Sequence, residues 1–348
     1  MNYIVDAAER AGITVSIISP SWLTKSMSFA VSQKIDIGKR SIAVWGPSLT
    51  FKGKYLLVLT KIISYFWLIY WLIFNTKHTD YVLVYHTPKL SLAIRIVKKI
   101  IRCKIILEVE EIYSKVWGLN RKQIIMENKL ISAADSYIVS SYQLKKELGE
   151  KVKFVLHGDY RFKRLIKHKD KDYIKIIYAG EIEKVKNGAF YSVHAAEYFP
   201  RNYKLLIAGY GTNENINSLK NKIDEINLKR GEETCIFYGL LKEYELSNLL
   251  SFCDVALNPQ RLGKYMDTAF PSKILIYLTH GVNVISSRIK SVEESDISDM
   301  ITFIDDTDPK TIIKSILAVE HVSKNYQEKL NVLDCSFVKF LENIFYDN

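Results

Sequence analysis

From residue 174 onward, short apolar runs alternate at a steady spacing with longer amphipathic ones. Strand-like runs fall at 174–179, 203–208, 234–238, 254–257, 282–286 and 301–304. Helix-like runs lie between them, near 188–198, 214–229, 243–252 and 272–280. Strand, helix, strand at this spacing predicts parallel βαβ units in a doubly wound α/β sheet. A ligand then belongs at the carboxyl ends of the strands.

The first half alternates less regularly. Strands are predicted at 13–18, 41–45, 81–85, 104–108 and 136–139, and helices near 2–11, 55–74, 89–101, 122–132 and 141–148. A length of 348 residues suits two domains of ordinary size. We place an N-terminal domain at 1–160, a Lys- and Asp-rich solvated linker at 161–173 and a C-terminal domain at 174–320. A long last helix within 321–348 is placed to cross back onto the first domain. The chain opens on a helix, Asn2 to Ala11, where a doubly wound domain normally opens on its central strand and a Gly-rich turn. The expectation is that this first strand is missing from the sequence. The alternative is an unusual sheet built without it.

The segment Phe270-Pro271-Ser272-Lys273-Ile274 through Gly281 reads as loop, short helix and Gly stop. Pro271 suits a first helical turn and Gly281 the left-handed position that closes a helix. The helix start then offers free N–H groups and a positive dipole end, with the Ser272 hydroxyl and the Lys273 ammonium beside it, a setting fit for a diphosphate.

Composition and charge narrow the classes. The chain is 48% hydrophobic and 25% charged, a globular balance. Cys103, Cys235, Cys253 and Cys335 are scattered, with no C-x-x-C pair and no His at ligand spacing. This predicts buried thiols in a reducing compartment and no metal site. Residues 1–160 hold 23 Lys+Arg against 12 Asp+Glu, which accounts for the whole net charge of +11. That excess suits an anionic surface or acceptor. No nucleic-acid motif accompanies it, so anionic lipid is the favoured partner and nucleic acid is not expected.

Residues 55–74 are nearly continuous apolar sequence, flanked by Lys52, Lys54 and Lys77. Their length approaches a bilayer span, and Trp67, Trp71 and the Tyr residues are of the interfacial type. Lys61 and Ser64 interrupt the run. Three readings stand: a crossover helix packed within its domain, a helix that also dips into a membrane surface, and a span. Asp6, Glu9 and Arg10 interrupt the only candidate signal-peptide region.

Several turns carry candidate chemistry. Tyr178-Ala179-Gly180-Glu181 ends a strand ahead of Lys184 and Lys186, giving backbone room for a phosphate and a cation to hold it. Ala208-Gly209-Tyr210-Gly211 reads as a tight turn between strand and helix, either near a ligand or purely structural. Gly239, Leu240 and Leu241 follow a strand, where backbone atoms suit a base edge. Arg261 and Lys264 lie on the loop before Phe270, as surface charge or as part of the anion site.

In the first half, His86 follows a strand and precedes a helix, and is either structural or catalytic. In an extended run, Glu108 and Glu110 share one face and Glu111 takes the other. These carboxylates suit acceptor hydroxyls or proton transfer. His157-Gly158-Asp159 opens the linker and is a candidate to face the ligand. No Ser-His-Asp order, H-E-x-x-H, Walker A or P-C-x-x-C motif is present, which argues against hydrolases, zinc enzymes and P-loop enzymes.

Taken in order, Tyr-Ala-Gly-Glu with Lys186, Leu-Leu-Ile-Ala-Gly-Tyr-Gly, Phe-Tyr-Gly-Leu-Leu with Glu245, Cys253-Asp254-Val255-Ala256-Leu257, and Phe-Pro-Ser-Lys with Tyr277 and Gly281 resemble a GT-B glycosyltransferase of the family 4 type. The likeness runs over nearly the whole chain, is strongest over 174–290, and points to bacterial capsule and exopolysaccharide enzymes. It implies two Rossmann-like domains facing a cleft, a UDP- or GDP-sugar on the C-terminal domain, a lipid-linked saccharide acceptor on the N-terminal one, retention of anomeric configuration, and no metal or other cofactor. The site of action would be the cytoplasmic face of the membrane, with the enzyme peripheral to it.

Carried over by position, Ser272, Lys273 and Lys186, with Arg261 and Lys264, hold the diphosphate. Gly180, Gly209, Tyr210, Gly239, Leu240, Leu241 and Pro271 meet the nucleotide or sugar. His86, Glu110 and Glu111 line the acceptor side as the catalytic group. The chain departs from the family at Thr268 and Ile276, where two glutamates often stand, and at Glu181, where a basic residue is common. Two rival readings remain, a non-catalytic scaffold of the same fold and a sugar-nucleotide epimerase.

Overall fold

The structure is a computed structural model, and it describes residues 2–20, 29–30, 33–36, 40–49, 54–116, 118–163, 172–263, 268–319 and 326–346. Lys264 and most of the predicted linker lie outside the described residues. Two compact units emerge: Met1–Ser140 with Leu144–Leu156 and Cys335–Asn348, and Ser141–Gln143 with His157–Asp334. The last helix, Gln327–Tyr346, begins in the second unit and ends in the first.

The strands, numbered along the chain, are β1 Ser16–Ser19, β2 Phe29–Ala30, β3 Gln33–Asp36, β4 Ile42–Trp45, β5 Ser48–Leu49, β6 Tyr81–Tyr85, β7 Lys104–Val109, β8 Ser136–Val139 and β9 Val152–Val155 in the first unit. The second unit holds β10 Ile174–Ile182, β11 Tyr203–Gly211, β12 Cys235–Gly239, β13 Val255–Asn258, β14 Asn283–Ser287 and β15 Ile301–Ile304.

In the second unit these six strands form one parallel sheet in the order β12-β11-β10-β13-β14-β15. Each predicted strand and helix is present. Helices Pro309–Ala318 and Lys290–Glu293 are additions that the periodicity did not single out. Ile176, Leu205, Ile207, Val255, Leu257 and Ile285 are fully buried and make the core. Helix ends follow local chemistry. Thr212 accepts from the Asn215 amide and Gly231, at φ 65°, closes the helix Asn213–Arg230. Chain order runs outward from β10 through β11 to β12, then restarts beside β10 at β13. The carboxyl ends of β10 and β13 are therefore the switch point, where a doubly wound sheet opens a crevice.

The first unit is less regular. Strands β6-β7-β8-β9 form one parallel sheet, joined by helices Ser91–Ile101, Arg121–Ala133 and Tyr142–Leu148. A separate sheet, β1-β4-β3, pairs β1 with β4 in parallel and β3 with β4 antiparallel, and β2 pairs with β5. The described strands of this unit thus form separate sheets rather than a single one. β9 and the short antiparallel pairings were not foreseen. Their runs are two to four residues long, too short for a period-2 pattern to register.

Helix Lys54–Asn75 answers the question of its two faces. Thr60, Ser64, Leu68 and Leu72, four residues apart, are buried, and Ser64 donates to the Pro47 carbonyl at 2.8 Å. Phe66, Tyr70 and Phe74 stand outward at 67%, 60% and 70% exposure, so the helix is not a fully packed crossover. Trp67 packs against Gly46, where an added Cβ would come within 2.8 Å of its ring. Trp67, expected to be of the interfacial type, is instead part of this packing.

Candidate functional site

The helix Lys273–Thr279 is docked on the end of β10 by one side chain. Fully buried Tyr277 donates its hydroxyl to the Ala179 carbonyl at 3.0 Å and accepts from the Ala179 amide at 2.8 Å. Gly281, at φ 68°, closes the helix as predicted. Its amide and that of Val282 bond the Leu278 and Tyr277 carbonyls, the pairing of a left-handed helix stop. This docking brings Lys273 to the switch point. Its Nζ donates to the Tyr178 hydroxyl at 3.1 Å and lies 4.3 Å from the Tyr178 ring centroid.

Gly180, at φ 149°, makes room for it, since a Cβ there would sit 3.1 Å from Lys273 Nζ. Burial pulls the Lys273 amine down to about 7, and Lys186 adds to the drop against the opposing pull of Glu183 and Glu181. Lys273 is part-exposed as a whole, and its ammonium packs against Tyr178 and the open side of Gly180. A cation so placed gains an interaction partner when an anion arrives.

The other predicted donor residues sit around this cation or nearby on the same unit. Lys186 pairs with Glu183 at 3.6 Å, and its carbonyl accepts from the Arg261 amide at 2.8 Å, so the loops after β10 and β13 meet. Arg261 reaches the Tyr191 hydroxyl at 3.4 Å. Ser272 is exposed at the helix start and makes no side-chain cap bond. Pro271 precedes it, and its carbonyl takes the Ile274 amide. Gly239 ends β12 at φ 70°, with Leu240 73% exposed and Leu241 half-buried beside it.

Gly209 and Gly211 correct the sequence reading. They lie inside β11, not in a turn. A Cβ on Gly209 would come 1.9 Å from the Gly180 carbonyl, and one on Gly211 would come 2.4 Å from that of Ile182. Close approach of two strands requires these glycines. Tyr210 between them is exposed. Ile276 is 40% exposed one turn into the helix, an apolar side chain where the resembled family often carries a glutamate.

His157 is also corrected. It is 3% exposed, 3.2 Å from Asp296, and stacked 4.7 Å from Phe270, so it props the loop ahead of Pro271.

In the first unit, the predicted acidic group meets at the carboxyl ends of β6 and β7. Tyr85 donates to Glu110 at 2.9 Å. Burial, then repulsion from Glu110, pushes the Glu108 carboxyl up to about 7. The expectation of a substrate-facing His86 does not hold, because it is 1% exposed. Its Nδ1–H donates to the Glu111 carbonyl at 3.0 Å, its ring stacks on Tyr113, and its Nε2 faces Glu127 at 3.4 Å. Burial holds the His86 imidazole below its ordinary range against the pull of Glu127.

Glu127 is fully buried and accepts the Tyr113 and Ser114 amides at 2.7 and 2.9 Å. Glu127 was not singled out from sequence, and Tyr178 entered only within the Tyr178–Glu181 segment, with no role of its own. Glu127 lies mid-helix among polar residues, and Tyr178 reads as one more apolar strand position.

Residues 159–331 match the family glycosyl transferases group 1. A comparison with curated protein sequences gives no match. Among solved structures, the chain is similar to a UDP-forming α,α-trehalose-phosphate synthase from Burkholderia xenovorans, at 10% identity and TM-score 0.69, covering 98% of this chain and 95% of that one. It is similar to an α,α-trehalose 6-phosphate synthase from Burkholderia multivorans, at 8% identity and TM-score 0.63, covering 99% and 91%. HepE of Anabaena in complex with UDP matches at 12% identity and TM-score 0.56, covering 96% and 99%. At these identities the likeness shows the fold, which is α/β of the GT-B type.

Proposed function

We propose that this protein is a glycosyltransferase that moves a sugar from a nucleoside-diphosphate sugar to a lipid-linked saccharide in bacterial surface-polysaccharide synthesis, with retention and without a metal. The Lys273 ammonium at the β10/β13 switch point carries the reading. An amine held there with Lys186 nearby suits the diphosphate before and after the bond to the sugar breaks, and stabilises the charge of the leaving group. The group 1 domain match over 159–331 supports the reaction class. UDP is favoured over GDP because two of the similar structures name UDP in their descriptions. Tyr85, Glu108 and Glu110 are the acceptor-side candidates, able to accept from sugar hydroxyls and to hold a proton near neutral pH.

The lipid-linked acceptor and a peripheral place on the cytoplasmic face of an anionic membrane are supported by two observations. Val58–Asn75 is long and apolar enough to cross a membrane, yet only 22% of it is buried, so its outward face is free to meet lipid. The first 160 residues also hold the chain's whole excess of positive charge.

A thermal-shift screen of nucleotide sugars, with UDP-glucose first, tests the donor. Binding to the folded form alone raises Tm by mass action. A chain that binds neither UDP nor GDP by calorimetry is a scaffold instead. Turnover of the nucleotide sugar with no acceptor present marks an epimerase. Turnover on a free sugar phosphate but not on a lipid-linked saccharide sinks the acceptor assignment.

A further inference from the structure

Tyr178 is 2% exposed, and its hydroxyl serves two partners. It donates to the Glu181 carbonyl at 3.1 Å and accepts from Lys273 Nζ at 3.1 Å, while its ring lies 4.3 Å from the same ammonium. One side chain thus holds the cation by a hydrogen bond and by its π face.

The slot for this pair is cut by two glycines eight residues apart, one in β10 and one at the start of the helix Gly188–Ala196. A Cβ on Gly188 would come 2.9 Å from the Tyr178 ring, and one on Gly180 would come 3.1 Å from Lys273 Nζ. Gly188 therefore leaves room for the ring, and Gly180 leaves room for the ammonium. We propose that Tyr178 is a positioning residue that holds the Lys273 ammonium in place and in its charged form for the donor diphosphate. The assignment rests on the reading that Lys273 meets that diphosphate. The charged and titratable groups that bear on Lys273 are Tyr178, Lys186, Glu183 and Glu181. Lys186 and burial favour the neutral amine, the two glutamates oppose them, and Tyr178 adds a hydrogen-bond acceptor that only the protein's interior supplies.

Tyr178→Phe keeps the ring and removes the acceptor. Lysine-selective carbon NMR of the unliganded protein, with the Lys273 signal assigned by its loss in Lys273→Arg, reads the first consequence. The Lys273 midpoint falls by about one pH unit in Tyr178→Phe, the scale of one hydrogen bond to a charged group. Calorimetry with inorganic pyrophosphate reads the second. The wild-type advantage over Tyr178→Phe is near unity at about pH 5.5, where Lys273 is protonated in both, and grows to about tenfold at about pH 8. Gly188→Ala, which pushes on the ring without touching Lys273, moves the midpoint as well.

A midpoint unmoved in both variants, or an affinity ratio that is flat with pH, overturns the assignment, since a merely structural role gives a constant ratio. Wild type that ignores pyrophosphate while its Lys273 midpoint still responds to Tyr178→Phe overturns the donor site instead, and leaves the Tyr178 contact established by the titration.

Discussion

The two units place opposite charges in similar positions. In the second, a lysine is held at the carboxyl end of a parallel strand and pulled down to about 7. In the first, Glu108 lies near the carboxyl end of a parallel strand and is pushed up to about 7. Burial is the largest cause of both shifts. The supports differ. Lys273 is held by Tyr178, beside Gly180, on the helix that Tyr277 docks to β10. Glu108 leans on a like charge, Glu110, which is itself exposed and bonded to Tyr85. The first arrangement suits binding and charge stabilisation. The second suits holding and releasing a proton.

That contrast breaks most sharply at Lys273. Lys273→Ala is expected to lower turnover by at least about a hundredfold, the scale of one stabilising donor removed. Turnover within a few-fold of wild type would remove Lys273 from the mechanism. Next comes the acidic side. Glu110→Gln is expected to cut acceptor-dependent turnover by about ten- to a hundredfold while leaving UDP affinity unchanged in calorimetry. A matching loss of UDP affinity would show that the two roles are not separate.

Stability against pH sharpens the comparison further. Unfolded, Lys273 keeps its proton to its ordinary 10.5, but folded only to about 7. Between those values the folded state binds fewer protons, so stability rises with pH. The cost of burying this lysine is whole below 7 and fades toward 10.5. Unfolded, Glu108 loses its proton near its ordinary 4.5, but folded holds it to about 7. Here the folded state binds more protons, and stability falls as pH rises. That cost is absent below 4.5 and whole above 7. Lys273→Met should therefore raise Tm by a few degrees at about pH 6, with the gain shrinking toward pH 10. Glu108→Gln should raise it most above about pH 8, with the gain vanishing toward pH 4.5. Melting curves showing the same pH trend for both variants would deny the opposition.

The smallest effect concerns the outward face of helix Lys54–Asn75. Phe66→Ser with Phe74→Ser is expected to weaken binding to anionic liposomes several-fold, since each removes a large apolar side chain from the contact. Binding that survives both changes at low and high salt would move the anchor elsewhere.

The second unit was legible because its strands are apolar on both faces and separated by helices at a regular spacing. Lys273, Gly180 and Gly281 were found by turn and cap chemistry that acts over a few residues. The reading of Gly209 as a turn failed because a glycine needed for strand contact looks the same in sequence as one needed for a turn. Its partner, the Gly180 carbonyl, lies 29 residues earlier in the register of the sheet. The roles of Tyr178 and Glu127 were missed for a related reason. They come from neighbours supplied by distant segments, and hydrophobic periodicity carries no signal for them. His86 was found but assigned to the wrong side of the surface, because the strand end gave its location without its burial.

The claim that the donor diphosphate sits on Lys273 is tested most directly by titrating UDP into wild type and Lys273→Met by calorimetry at about pH 7. The account predicts that wild type binds and that Lys273→Met binds at least about tenfold more weakly, a loss of about 1.4 kcal/mol or more, while melting at a higher temperature. Equal affinity for UDP in the two proteins would contradict it.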